Sequence, residues 1–170
     1  TDGSGNLDDI VISAGATTGT VSFTPTDDSI YDATSNETAT ISINGVSGKT
    51  GVEENSTPQA VTITITDNES APTVTLAISG ASIAENSSST KTLIATINRV
   101  TDSAITVALS TSGTATEGTD YGTISDITIS AGATTGTATL DPTDDSIYED
   151  DETATIDISG VSGKSGVTEN

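Results

Sequence analysis

Apolar and polar residues alternate strictly in several short segments. Val61, Ile63 and Ile65 are interleaved with Thr62, Thr64 and Thr66. The same pattern recurs in Val74, Leu76, Ile78; in Leu93, Ala95, Ile97; in Ile105, Val107, Leu109; and in Ala154, Ile156, Ile158. A period of two is the signature of a strand buried on one face. Thr fills much of the opposite face and, being β-branched, suits strands. No segment of useful length carries the 3.6-residue period of a helix. Ser13-Ala14-Gly15-Ala16 and Ser130-Ala131-Gly132-Ala133 read as tight turns, with Gly taking the difficult dihedral. Seven or so short strands per repeat, separated by Gly, Asn, Asp and Ser, predict an all-β fold of antiparallel, Ig-like β-sandwiches in tandem.

The tandem expectation comes from internal repetition. Residues 12–31 and 129–148 are identical at 16 of 20 positions. After a two-residue length change, Glu37-Thr38-Ala39-Thr40-Ile41 matches Glu152-Thr153-Ala154-Thr155-Ile156, and Glu54-Asn55 matches Glu169-Asn170. The period is thus about 115 residues. Residues 1–70 are expected to be the C-terminal half of one repeat. Residues 71–170 are expected to be the following repeat without its last strand, which should resemble Ala60–Thr66. The joint, Thr66-Asp67-Asn68-Glu69-Ser70-Ala71-Pro72, is short and ends in Pro, which favours a stiff connection.

Composition narrows the chemistry. The chain of 170 residues has no Cys, His, Met or Trp. Thiolate and imidazole metal sites, Ser-His-Asp and Cys-His catalysis, and disulfides are therefore excluded. Ile, Val, Leu and Phe make up only 20% of residues, a thin core for a highly charged chain. Four Lys and Arg stand against 25 Asp and Glu, a formal charge of −21. That sign opposes binding to nucleic acid or to an anionic membrane surface and favours cations. No apolar run is long enough for a membrane span.

The acids cluster. Asp144-Asp145-Ser146-Ile147-Tyr148-Glu149-Asp150-Asp151-Glu152 holds six carboxylates in nine residues. Calcium takes six to eight oxygen ligands, and such loops suit it better than magnesium, which keeps more water. Ile147 and Tyr148 are expected to pin the loop to the sandwich. The matching N-terminal loop, Asp27-Asp28-Ser29-Ile30-Tyr31-Asp32, keeps that pair but reaches Glu37 only after an insert, so fewer or weaker ions are expected there.

At these residues the sequence resembles the Calx-beta family, first recognised in sodium–calcium exchangers and found in tandem in many extracellular proteins. The resemblance rests on Ser82–Asn86, Ser112–Tyr121, the Asp144–Glu152 loop, and a strand followed by acids at Ile65–Glu69. It implies a β-sandwich that binds calcium at one end. It implies Glu85, Asp120, Asp144, Asp145, Glu149, Asp150, Asp151 and Glu152 as ligands in the second repeat. In the first, it implies Asp2, Asp27, Asp28, Asp32, Glu37, Asp67 and Glu69. Asn68 stands where exchangers often carry Asp and offers only a neutral carbonyl oxygen.

The function expected is non-enzymatic: a calcium-binding structural module of a secreted, tandem-repeat adhesin or matrix fibre, in which Ca²⁺ stiffens repeats and joints. The partners expected are neighbouring repeats and further copies, joined by strand addition at exposed sheet edges. No nucleic acid and no membrane insertion are expected. Two other readings are a calcium-sensing regulatory domain like those of the exchangers and a spacer in a large secreted enzyme. Tyr31, Tyr121 and Tyr148 read as packing at the core edge.

Overall fold

The computed structural model describes residues 7–31, 37–57 and 59–170. Its strands are β1 (Glu37–Ser42), β2 (Ala60–Ile65), β3 (Thr73–Ile78), β4 (Lys91–Ile97), β5 (Ile105–Gly113), β6 (Ile127–Ile129), β7 (Thr135–Leu140), β8 (Ala154–Ser162) and β9 (Thr168–Glu169). Among the described residues there is no helix. Two sheets, in the orders β7-β4-β3-β9 and β6-β5-β8, form a sandwich; β1 and β2 pair separately. All pairings are antiparallel except the short parallel contact of β9 with β3.

The alternating residues meet between the sheets. Leu93, Ala95 and Ile97 of β4 and Val74 of β3 face Ile105 and Val107 of β5 and Ile127 and Ile129 of β6, and all are buried. The interleaved Thr residues of β3–β5 are less buried, as a one-sided strand requires. Two local devices hold the register. The Ser130–Ala133 turn closes with the Ala133 N–H donating to the Ser130 carbonyl at 3.0 Å, and Gly132 sits at φ 75°. This is the position where a type II turn needs positive φ. The β5–β8 register shifts at Ala108/Leu109, leaving Ser159 of β8 without a partner, and the Asp126 carboxylate accepts the Leu109 N–H at 3.1 Å.

The repeated sequence does not fold alike in its two copies. Residues 10–12 and 18–23 match β6 and β7 in sequence, yet they form no strands. In the sandwich, β6 pairs with β5 and β7 with β4. Among the described residues, no strand pairs with residues 10–12 or 18–23 and no sheet covers them. Their turn nevertheless closes, with Ala16 N–H to Ser13 carbonyl at 2.9 Å. β1 and β2 have each other and pair from Glu37↔Ile65 to Ser42↔Ala60. No described residue before Pro72 is buried.

Strand directions give the sandwich two distinct ends. The β3–β4, β5–β6 and β7–β8 loops share one end, the tip. The β4–β5, β6–β7 and β8–β9 loops share the other, the base. At the base, the Gly132 N–H donates to the Thr101 carbonyl at 2.9 Å. There too the Lys164 ammonium, its side chain only 2% exposed, meets the Asp102 carboxylate at 2.5 Å. The matching Lys49 is exposed.

Because the core lies within residues 72–167, matched truncations should differ sharply. Ile105→Ala should cost about 2–5 kcal/mol. Ile12→Ala, at an exposed site, should stay within about 0.5 kcal/mol. Urea unfolding of the full chain measures both; equal losses would contradict this placement of the core.

Candidate metal centre

Three loops build the tip. The β5–β6 loop supplies Asp120, which its neighbours fix tightly. Asp120 N–H donates to the Thr116 carbonyl at 2.9 Å, and Thr116 N–H donates back to Asp120 Oδ2 at 2.6 Å. The adjacent Tyr121 is buried and bridges to Pro142. Thr143 N–H donates to the Asp120 carbonyl and Gly122 N–H to the Asp141 carbonyl, each at 2.9 Å. These contacts hold the start of the β7–β8 loop beside Asp120. The end of that loop is held by Thr153, whose N–H donates to Thr114 Oγ1 at 2.9 Å and whose carbonyl accepts from Ala115 N–H at 3.0 Å. The β3–β4 loop supplies Glu85, whose Oε1 accepts the Asp145 N–H at 2.9 Å.

The result is a convergence of carboxylates. Asp120, Glu149 and Glu152 each place one oxygen within 4.8 Å of the others. Partial desolvation, followed by the charges of Asp120, Asp145 and Glu85, pushes the Glu149 carboxyl above its ordinary value. Glu152 is raised too, first by desolvation, then by the charge of Asp120, a hydrogen bond with it, and the charge of Glu149. Like charges at this separation favour either a shared proton or a shared cation. The donor set is all oxygen, partly exposed and carried by loops, which fits a hard divalent ion of calcium type.

The other sequence-derived candidates divide. Asp145 and Glu85 join the tip group. Asp144, Asp150 and Asp151 lie on the same loop, exposed, and outside the three-carboxylate cluster. A second acidic group forms beside the joint. Glu69 is raised by desolvation, then by a hydrogen bond with Asp67 and its charge; the charge of Asp27 raises it further, and Arg99 opposes. Asn68 Nδ2 donates to Asp27 Oδ1 at 3.2 Å, so the residue that departs from the family's acidic pattern bridges this group. Asp28 accepts the Ile30 N–H in a local turn, and Glu37 opens β1 opposite Ile65. Asp2 and Asp32 lie outside the described residues.

Two expectations are overturned. Ile147 and Tyr148 do not pin the loop, and Tyr148 does not pack at the core edge as Tyr31 and Tyr121 do: Ile147 and Tyr148 are 64% and 92% exposed. Within its own sandwich this loop is held instead by Tyr121, Thr143 and Thr153. Sequence reading also missed Arg99, whose guanidinium meets Glu69 Oε1 at 3.4 Å across the joint. A lone Arg after a strand carries no pattern that marks it.

The chain belongs to the Calx-beta domain family, whose model matches residues 67–167, more than half of the chain. The family is non-catalytic, is associated with calcium, and occurs typically in extracellular parts of proteins. No curated protein and no solved structure matches the chain significantly. Among the described residues, no helix is long and apolar enough to cross a membrane.

The raised glutamates fix a sign for pH dependence. Glu69, Glu149 and Glu152 hold protons more tightly folded than unfolded, between the ordinary value of 4.5 and their raised values. In that window the folded state binds more protons, so stability falls as pH rises. The metal-free chain should therefore melt at higher temperature as pH is lowered from neutrality toward 4.5. Glu152→Gln should flatten the trend. Calorimetry in chelator tests it; a melting temperature falling steadily over this range would contradict the geometry.

Proposed function

We propose that this chain is a calcium-binding structural module of an extracellular tandem array, of the adhesin or matrix-fibre kind. The observation that carries the reading is the approach of Asp120, Glu149 and Glu152 to within 4.8 Å. Those three, with Glu85, Asp144, Asp145, Asp150 and Asp151 around them, would hold the ion at the tip. Asp27, Asp67 and Glu69, with Asp28 and Glu37 nearby, would hold one beside the joint. A bound divalent ion supplies the positive charge that turns mutual repulsion of the carboxylates into attraction. The chain's own part is to hold the loops in place: Tyr121 anchors Asp120, Thr153 anchors Glu152, and Glu85 ties the β3–β4 loop to Asp145. With no disulfide available and a thin core, such linkage matters. A site occupied at 100 times its dissociation constant adds about 2.7 kcal/mol.

Assembly with further copies is the second part of the proposal. β8 pairs with β5 on one side and, among the described residues, with no strand on the other. A groove of about 460 Å³ lies between β8 and β3, lined by Leu76, Leu93, Ala154 and Ile156 among others. β1 repeats the sequence at the start of β8, and β1 carries β2. That register would set Ile63 opposite Ala154 and Val61 opposite Ile156. A strand of the β2 pattern therefore suits this edge. A net charge of −21 keeps such an array soluble and away from nucleic acid.

Isothermal calorimetry of the full chain should show calcium binding that weakens about tenfold or more in Asp120→Asn and in Glu152→Gln. Calcium should also raise the melting temperature. Isotherms unchanged in both variants, or no heat at millimolar calcium, would remove the proposal. A dissociation constant near 10⁻⁴–10⁻³ M fits an extracellular module, whereas one near 10⁻⁶ M would favour a sensor.

A further inference from the structure

Tyr31 and Tyr148 are the same residue of the repeated sequence, within Asp27-Asp28-Ser29-Ile30-Tyr31 and Asp144-Asp145-Ser146-Ile147-Tyr148. Their local geometry is also the same. The Ile30 N–H donates to Asp28 Oδ1 at 2.8 Å, and the Ile147 N–H donates to Asp145 Oδ1 at 2.6 Å. Their surroundings are opposite.

Tyr31 is seated in the base of the sandwich that follows it. Its N–H donates to the Val100 carbonyl at 3.2 Å, and it bridges in parallel with Thr101. Its hydroxyl donates to the Ser165 carbonyl at 3.3 Å, and its ring packs on the edge of the buried core. Gly166 makes room: at φ 84° it has no side chain, and a Cβ there would overlap the Tyr31 hydroxyl. The seat is rigid. Thr101 is buried and its carbonyl accepts from Gly132 N–H, while the Lys164–Asp102 pair ties the β8–β9 loop to the β4–β5 loop. Beside it, Arg99 meets Glu69 of the acidic group next to Tyr31. Tyr148, by contrast, stands 92% exposed at the tip of the same sandwich, with Ile147 beside it.

We infer that Ile147 and Tyr148 form a plug for the base of a second copy of this sandwich, seated against Val100, Thr101, Ser165 and Gly166 as Tyr31 is. The plug is on the tip and the seat on the base, so the contact is heterologous and propagates head to tail. A large exposed aromatic ring with an adjacent exposed Ile is costly to leave in water and typical of an interface anchor. In this chain the seat is filled by Tyr31, so a second copy must displace Tyr31 to dock. The inference builds on the array reading but is independent of calcium.

Sedimentation velocity on full-length variants tests it, in calcium and in chelator. Tyr31→Ala empties the seat and should convert the chain to concentration-dependent oligomers. Adding Tyr148→Ala to that variant should weaken association about tenfold or more. A Tyr31→Ala chain that melts like the parent yet stays monomeric overturns the inference, as does equal association of the double variant. Should Tyr31→Ala not fold, the native chain compared with Tyr148→Ala at millimolar concentration decides, because Tyr148 touches no core. Weak association lost with Tyr148 supports the plug, and identical sedimentation overturns it. Association that depends on Tyr148 without any calcium heat would remove the calcium reading and leave this one standing.

Discussion

A strand with one apolar face needs a ladder partner to form and a second sheet over it to be buried. That constraint decides where the described residues have a core. Between Pro72 and Val167 both conditions are met, and the buried cluster from β3, β4, β5 and β6 forms there. Before Pro72, where residues 12–31 nearly repeat 129–148, no other strand pairs with the matching segments among the described residues, and none of those residues is buried. The turn at Ser13–Ala16 closes regardless, because a turn needs only its own four residues.

The closed sandwich in turn makes the acidic tip possible. Carboxylates as close as those of Asp120, Glu149 and Glu152 repel, and exposed loops would separate them were they not tethered. The tethers are backbone bonds around Tyr121, Thr143 and Thr153, and each depends on a strand that the core holds in place. The electrostatic penalty is thus borne by the apolar interior. That interior is small, which is why neutralising the tip by a cation would be felt throughout the fold.

The same polarity orders the two ends. The tip gathers negative charge and carries Tyr148. The base holds a glycine-lined seat, a buried Lys164 and the Arg99 guanidinium, two of the chain's four basic residues. The stacking inferred above would use these unlike ends in one direction. Within the single chain, Tyr31 contacts the base.

Although β6, β7 and β9 were not among its alternating segments, the sequence by itself determined β3, β4, β5 and β8 of the sandwich, the two Ser-Ala-Gly-Ala turns, the family and the acidic loop. These depend on local period, local dihedrals and composition, which neighbours along the chain express. Asp145, Glu149 and Glu152 were legible as candidates because acids are dense in the Asp144–Glu152 run, and Glu85 and Asp120 only through the family resemblance. Only the tertiary structure decided which acids converge, since Asp144, Asp150 and Asp151 share one acidic run with Glu149 and Glu152 and the path of the β7–β8 loop separates them. It alone decided that Ile147 and Tyr148 face solvent while Tyr31, the repeat of Tyr148, lies against the sandwich. Sequence records a side chain's chemistry; whether that side chain is covered depends on what stands opposite it, and here the opposing surface lies more than sixty residues away, at Val100 and Ser165.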